Sequence, residues 1–151
     1  MPSFRNERRV SHRAEQMFDL VADVERYPEF VPLCTSLAVR SRRPGGDGRE
    51  TLIVDMGVGY KMIREKFTSR VTLDKPRLRV VVEYIDGPFS HMENIWTFRD
   101  EPEGDRSVVT FFIDYEFKSR VLSSLMGSMF DAAFRKFAQA FEERADVLYQ
   151  L

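Results

Sequence analysis

The chain has 151 residues, 43% hydrophobic and 31% charged, a size at which one domain spanning the whole chain buries a full core without disulfides or metals. Its 23 basic and 24 acidic side chains leave a formal charge of -1, which argues against DNA binding and any protein dominated by phosphate-backbone contacts. The single cysteine, Cys34, has no intramolecular partner, so it reads as a buried thiol in a reducing cytoplasm rather than half of a disulfide.

Met1 to Val10 mixes Arg5, Glu7, Arg8 and Arg9 with few apolar residues and lacks the apolar core of a signal peptide. No window approaches the ~20 apolar residues that span a bilayer. The expected location is cytoplasmic, and any membrane, such as the inner membrane, is met peripherally from the water side. Ser3 to Val10 reads as a short strand. Ala14 to Val24 reads as a helix with Met17, Phe18, Val21 and Ala22 on one face, and Ser11 is the nearest conventional N-cap. Pro28 and Pro32 then forbid a continuing helix, so Tyr27 to Pro32 is expected as a second short helix and turn.

From Leu33 to Ser119 the period changes from helical to alternating. Leu37 to Arg42 is a strand, closed by the Pro44 to Gly48 turn. Leu52, Val54, Met56 and Val58 share one face of the next. Lys61 to Leu73 sets Ile63, Phe67, Val71 and Leu73 against Arg64, Lys66, Thr68 and Arg70, the signature of a sheet with one wet face. Leu78 to Ile85 follows the turn at Lys75 to Arg77. Beyond the break at Asp86-Gly87-Pro88, Met92, Asn94, Trp96 and Phe98 mark a strand. Val109, Phe111, Ile113, Tyr115 and Phe117 share a face of the last. The stretch from Arg120 to Tyr149 has no proline, and Leu122, Leu125, Met126, Met129, Phe130, Ala133, Phe134, Phe137, Phe141 and Leu148 recur at helical spacing. A helix of about 28 residues is ~42 Å long and must lie across the sheet. Gly127 inside it costs about 1 kcal/mol relative to Ala, so a packing or opening role is expected there.

This order predicts an α+β fold: a curved antiparallel sheet of about seven strands around a long C-terminal helix, with two short helices after the first strand. Space between a curved sheet and a straight helix is either packed or hollow. Thirteen Phe and seven Met, large and deformable, suit either outcome. Glu65, Ser69 and Asn94 fall among inward positions, where a polar group needs a partner or a wet, ligand-bearing cavity. An internal salt bridge is the ordinary expectation for Glu65, and a bond to a strand backbone for Asn94. The candidate cavity residues are Val54, Met56, Phe67, Ser69, Asn94, Trp96, Val109, Phe111, Ile113 and Tyr115 on the sheet, with Met129, Phe130, Phe134 and Phe137 on the helix. Ser69, Asn94 and Tyr115 are the polar groups offered to a ligand.

No catalytic set emerges. His12 and His91 have no spacing for a zinc site or a Ser-His-acid triad, and Gly45-Gly46-Asp47-Gly48 lacks the lysine and hydroxyl of a phosphate loop. No metal or cofactor is expected. Arg40, Arg42, Arg43 and Arg49 near one hairpin, with Arg5, Arg8 and Arg9 in the first strand, form the candidate surface for a macromolecular partner.

Met17-Phe18-Asp19-Leu20-Val21-Ala22-Asp23-Val24-Glu25-Arg26-Tyr27-Pro28-Glu29-Phe30-Val31-Pro32 resembles the opening signature of the coenzyme Q-binding, polyketide cyclase-like START-domain family. Arg64-Glu65-Lys66-Phe67, Gly87-Pro88-Phe89 leading to Trp96 and Phe98, and Tyr115-Glu116-Phe117-Lys118-Ser119 follow in that family's order. The resemblance implies a helix-grip (START/Bet v 1-like) fold. It also implies an apolar tunnel that holds ubiquinone or a similar prenyl lipid without catalysis, as a carrier or chaperone for respiration and quinone synthesis. Bacterial relatives include a protein described as a ribosome-association toxin, so the ribosome is the alternative partner. Two departures from the family pattern stand out: Arg13 replaces a small hydroxyl residue before the first helix, and Leu33 replaces the aromatic after Pro32.

Overall fold

A computed structural model describes residues 3–102 and 104–149. Strand β1 (Ser3–Val10) leads to helix α1 (Ala14–Ala22) and a short 3-10 helix (Val24–Glu29). Six strands follow: β2 (Cys34–Pro44), β3 (Arg49–Tyr60), β4 (Ile63–Asp74), β5 (Arg79–Asp86), β6 (Phe89–Asp100) and β7 (Ser107–Phe117). Helix α2 (Arg120–Tyr149) closes the chain. The strands form one seven-stranded sheet in the order β1-β7-β6-β5-β4-β3-β2, and every neighbouring pair is antiparallel. This is the helix-grip arrangement anticipated above.

The first helix ends at Ala22 rather than Val24, because Asp23 leaves helical geometry (φ -85°, ψ 66°) before either proline is reached. Its start is capped from a distance. Arg13, not Ser11, is the N-cap, and its N–H donates to Oε1 of Gln16 at 3.0 Å. The N–H of Ala14 donates to Oδ1 of Asp100, at the end of β6, at 2.8 Å. Asp100 thus supplies the acceptor that Arg13 lacks. At the other end of the sheet, Gly87 has φ +145°, and a Cβ there would lie 2.5 Å from Cβ of Phe67. Only glycine permits that approach, which sets the ring of Phe89 edge-on to Phe67 with centroids 5.6 Å apart.

Helix α2 packs on β7, β1 and α1, and α1 packs on β5, β6 and β7. Met126, Phe130, Ala133, Phe134, Ala138, Phe141 and Ala145 are its buried face. Leu125 and Leu148, expected on that face, are exposed. Leu122 and Tyr149, nearer the two ends of the helix, pack against the core.

Candidate functional site

The concave face of the sheet and α2 enclose an apolar cavity, lined by Val54, Met56 and Val58 of β3, Phe67, Ser69 and Val71 of β4, Val80 and Val82 of β5, Phe89, Met92, Asn94 and Trp96 of β6, and Ile113 of β7. Helix α2 contributes Phe130, Ala133, Phe134, Phe137 and Phe141. Val24, Tyr27, Pro32, Leu33 and Leu37 close it from the segment between α1 and β2. About 80 Å³ inside is open to a water-sized body, enough for solvent but less than a quinone ring with its substituents needs.

The cavity lies mainly beneath β3 to β6. Because α2 lies directly on β7 and β1, the interior there is solid: Phe111 packs on Trp96, Phe137 and Phe4 at centroid distances of 4.8, 5.7 and 6.2 Å. Towards β3, β4 and β5 the helix stands away from the sheet, and space opens. Among the predicted lining residues, Val54, Met56, Phe67, Ser69, Asn94, Trp96, Ile113, Phe130, Phe134 and Phe137 meet the cavity. Val109, Phe111, Tyr115 and Met129 do not. Val109 sits opposite Phe98, at the end of the sheet that α1 covers. Tyr115 is packed against Phe89 and Phe134 at 6.0 and 5.1 Å rather than set in the lining, and burial raises its phenol pKa. Met129 is half-buried on the flank of α2.

Polar groups in the lining are few. The amide of Asn94 donates to the carbonyl of Phe112 at 2.8 Å, which uses one of its two N–H groups. Ser69 lies two strands away and two residues out of register, ~12 Å by strand geometry, and is fully buried. The hydroxyl of Tyr27 donates to the carbonyl of Val21, and desolvation raises its pKa far above the ordinary phenol value. Leu33 adopts a left-handed φ of 68° and accepts from the N–H of Gly59 at 3.0 Å, so this departure from the family pattern shapes the wall directly. Glu65 makes no ion pair among the described residues and is half-buried near the β3–β4 turn, so the expected internal salt bridge is absent there. Cys34 is buried, and desolvation pushes its thiol up to about 11.

Both histidines are engaged away from the cavity. Nε2 of His12 lies 2.7 Å from Asp146, and Nε2 of His91 lies 3.0 Å from Asp114. No cluster of three or more His, Cys, Asp or Glu among the described residues is placed to hold a metal ion.

The basic residues singled out by sequence do not form one surface. Strands β1 and β2 are the two opposite edges of the sheet. Arg8 pairs with Glu142, Arg9 with Glu101, Arg40 with Asp55, Arg42 with Glu25 and Glu50, and Arg49 with Asp47.

Helix α2 is fastened unevenly. Its second half is tied to the rest of the fold by Arg8 to Glu142, His12 to Asp146, Arg144 to Glu29, and the hydroxyl of Tyr149 to the carbonyl of Gln16 at 3.1 Å. Its first three turns have the N-cap bond from the N–H of Leu122 to Oγ of Ser119 at 3.1 Å, and no side-chain bond to another strand or helix among the described residues. A Cβ at Gly127 would meet only Oγ of Ser123, at 3.8 Å, so no close packing requires the glycine.

Residues 10–142 match the family described as polyketide cyclase / dehydrase and lipid transport. The chain belongs to this family. Among its relatives, a ribosome association toxin of Rickettsia prowazekii is 30% identical over 96% of this chain and 97% of its own. The ribosome association toxin of Escherichia coli K12 is 31% identical, covering 99% and 90%. A mitochondrial coenzyme Q-binding protein of Xenopus laevis is 33% identical over 89% of this chain, which spans 54% of that protein. The solution structure of an 18 kDa protein of Caulobacter crescentus superimposes over the full length of both chains, with a TM-score of 0.80 and 34% identity. A Streptomyces aromatase/cyclase has a TM-score of 0.75 at 17% identity, covering 96% of this chain and 93% of its own, and shares the fold alone. No helix among the described residues is long and apolar enough to cross a membrane.

Proposed function

We propose that the cavity binds ubiquinone or a similar prenyl lipid and that the protein acts as a non-catalytic carrier. The observation that carries this reading is an apolar cavity whose polar groups are sparse and uncharged. A quinone ring offers only acceptors, so it needs one or two donors in apolar surroundings. Asn94, with an N–H to spare, and Ser69 suit the carbonyl oxygens, and the Val, Met and Phe side chains suit an isoprenoid tail. Among the described residues Tyr27 is the one ionisable side chain in the lining, and its raised pKa and its bond to Val21 make it a poor proton donor or acceptor. Entry requires the space to widen, and the first turns of α2, which lead into the wall at Phe130, have no side-chain bond to another strand or helix among the described residues. The relative named as coenzyme Q-binding, 33% identical, supports the same ligand class.

The test is organic extraction and mass spectrometry of protein purified from a quinone-making host, followed by titration of the emptied protein with ubiquinone. A prenyl quinone at near one per chain is expected. Absence of any prenyl lipid in the extract together with no binding on titration would overturn the reading.

Association with the ribosome is the second reading, supported by relatives named ribosome association toxins that align over nearly their whole length. The internal pairing of most β1 and β2 arginines weighs against those strands as the contact. Co-sedimentation with ribosomal subunits that survives moderate salt would support it, and complete absence would remove it.

A further inference from the structure

Among the described residues seven large apolar side chains are exposed, and five of them, Tyr60, Met62, Ile85, Val121 and Leu125, belong to one end of the molecule. The register places them there: Tyr60 pairs with Ile63 across the β3–β4 turn, Phe89 pairs with Phe117, and Gly87 abuts Phe67, so the β3–β4 turn, the β5–β6 turn and the entry to α2 share that end. Met62, at the tip of the hairpin, is 95% exposed. The tip is held in shape by Nη1 of Arg64, which donates to the carbonyls of Lys61 and Ile63 at 2.8 and 3.0 Å.

The same end gathers Lys61, Arg64, Lys66, Lys118 and Arg120, all exposed and none in an ion pair among the described residues. Glu65, Asp86 and Glu116 are the carboxylates of these turns, so cations are in excess. Lys118 and Arg120 flank the N-terminus of α2, where the helix dipole disfavours positive charge and favours an anion. Elsewhere on the strands the exposed Arg9, Arg40, Arg42, Arg49 and Arg70 have carboxylate partners, while Arg5, Arg43, Arg79 and Arg99 are spread singly and have none among the described residues. Apolar side chains standing clear of the surface within a ring of unpaired cations match the interface of a bilayer with anionic headgroups, where apolar groups enter the acyl boundary and lysines and arginines stay at the phosphates.

We infer that this end docks on an anionic lipid surface, with Met62 and the exposed residues of α2's first turns entering the interface. The inference rests on the lipid-carrier reading, because docking here brings the weakly fastened half of α2, and with it the cavity wall, to the source of the lipid. A protein or ribosomal partner would meet the same patch only as an outcome of the test.

The experiment is co-flotation of the full chain with vesicles of phosphatidylcholine alone, and of phosphatidylcholine with roughly a third phosphatidylglycerol, at low and moderate salt. Wild type is expected to float with the anionic vesicles, less so as salt rises, and weakly with neutral ones. Met62→Asp should abolish flotation. Lys61→Gln combined with Lys66→Gln should weaken partitioning about twenty-five-fold, at roughly five-fold per cation. All three positions are exposed, so melting temperatures and ubiquinone uptake from detergent micelles should be unchanged. Wild type that ignores anionic vesicles at low salt, or variants that float like wild type, would overturn the docking surface while leaving micellar quinone uptake to judge the cavity. Capture by ribosomal subunits in place of vesicles, lost in the same variants, would also overturn it. Flotation that is intact without any micellar uptake supports docking and sinks the quinone reading instead.

Discussion

Gly127→Ala separates stability from ligand entry in a single substitution. The Cβ would stand 3.8 Å from Oγ of Ser123, an ordinary contact, so nothing opposes the gain in helix propensity. That gain is about 1 kcal/mol, which for a domain of this size raises the melting temperature by about 2–4 °C. If lipid entry requires α2 to bend near Gly127, the same change raises the opening barrier by a similar amount and slows uptake about five-fold. Trp96 reports both events: it is the sole tryptophan, 3% exposed, and lines the cavity, so a quinone arriving there quenches its fluorescence. Stopped-flow quenching beside a thermal melt is the assay. A higher melting temperature with an unchanged uptake rate would show that the gate does not bend at this position, and a lower melting temperature would refute the open space around Gly127.

Asp100→Ala removes the acceptor for the N–H of Ala14 and should cost about 1 kcal/mol of stability, read by denaturant melts, with ubiquinone affinity retained. Asn94→Leu deletes the donor on offer to a quinone carbonyl and is expected to weaken ubiquinone binding about ten-fold in a Trp96 quenching titration, the worth of one hydrogen bond. Tyr27 has a folded-state pKa raised by burial, so its contribution is fully present below about pH 10 and is lost as rising pH ionises the unfolded chain first; Tyr27→Phe should flatten the alkaline fall in stability measured by urea melts across that range. Hydrogen exchange should be faster for the amides from Arg120 to Met129 than for those from Phe137 to Tyr149, following the uneven fastening of α2.

The elements themselves were legible because their signals are local. Alternation along β3 to β7, the glycine and proline breaks between them, and the proline-free helical period from Arg120 to Tyr149 each act within a dozen residues. Features decided by contacts between distant segments were hidden. Asp100 caps α1 from the end of β6, and no rule of spacing connects it to Ala14. Leu125 and Leu148 are apolar yet lie off the face that α2 buries, which extends past them to Leu122 and Tyr149.

The cavity shows the same division more sharply. Period two assigned Val109, Phe111 and Tyr115 to the concave face correctly, and all three are buried. Facing inward is not the same as facing a void. Which inward residues meet empty space depends on where a straight helix crosses a curved sheet. Here α2 runs over β7 and β1, so the aromatic residues of β7 become packing. The same alternation made Val71, Val80 and Val82 available as lining residues, and the Tyr27 to Pro32 motif made the loop wall visible as a family signature without showing that it bounds a cavity. The exposed residues at the β3–β4 turn were equally plain as residues and equally silent in sequence. Met62 and Leu125 are 63 positions apart, and only the register of the sheet, with the entry to α2, puts them at one end beside cations that no carboxylate pairs. On the proposed carrier reading, that end, where α2 has fewest side-chain ties among the described residues, is the side at which a lipid enters.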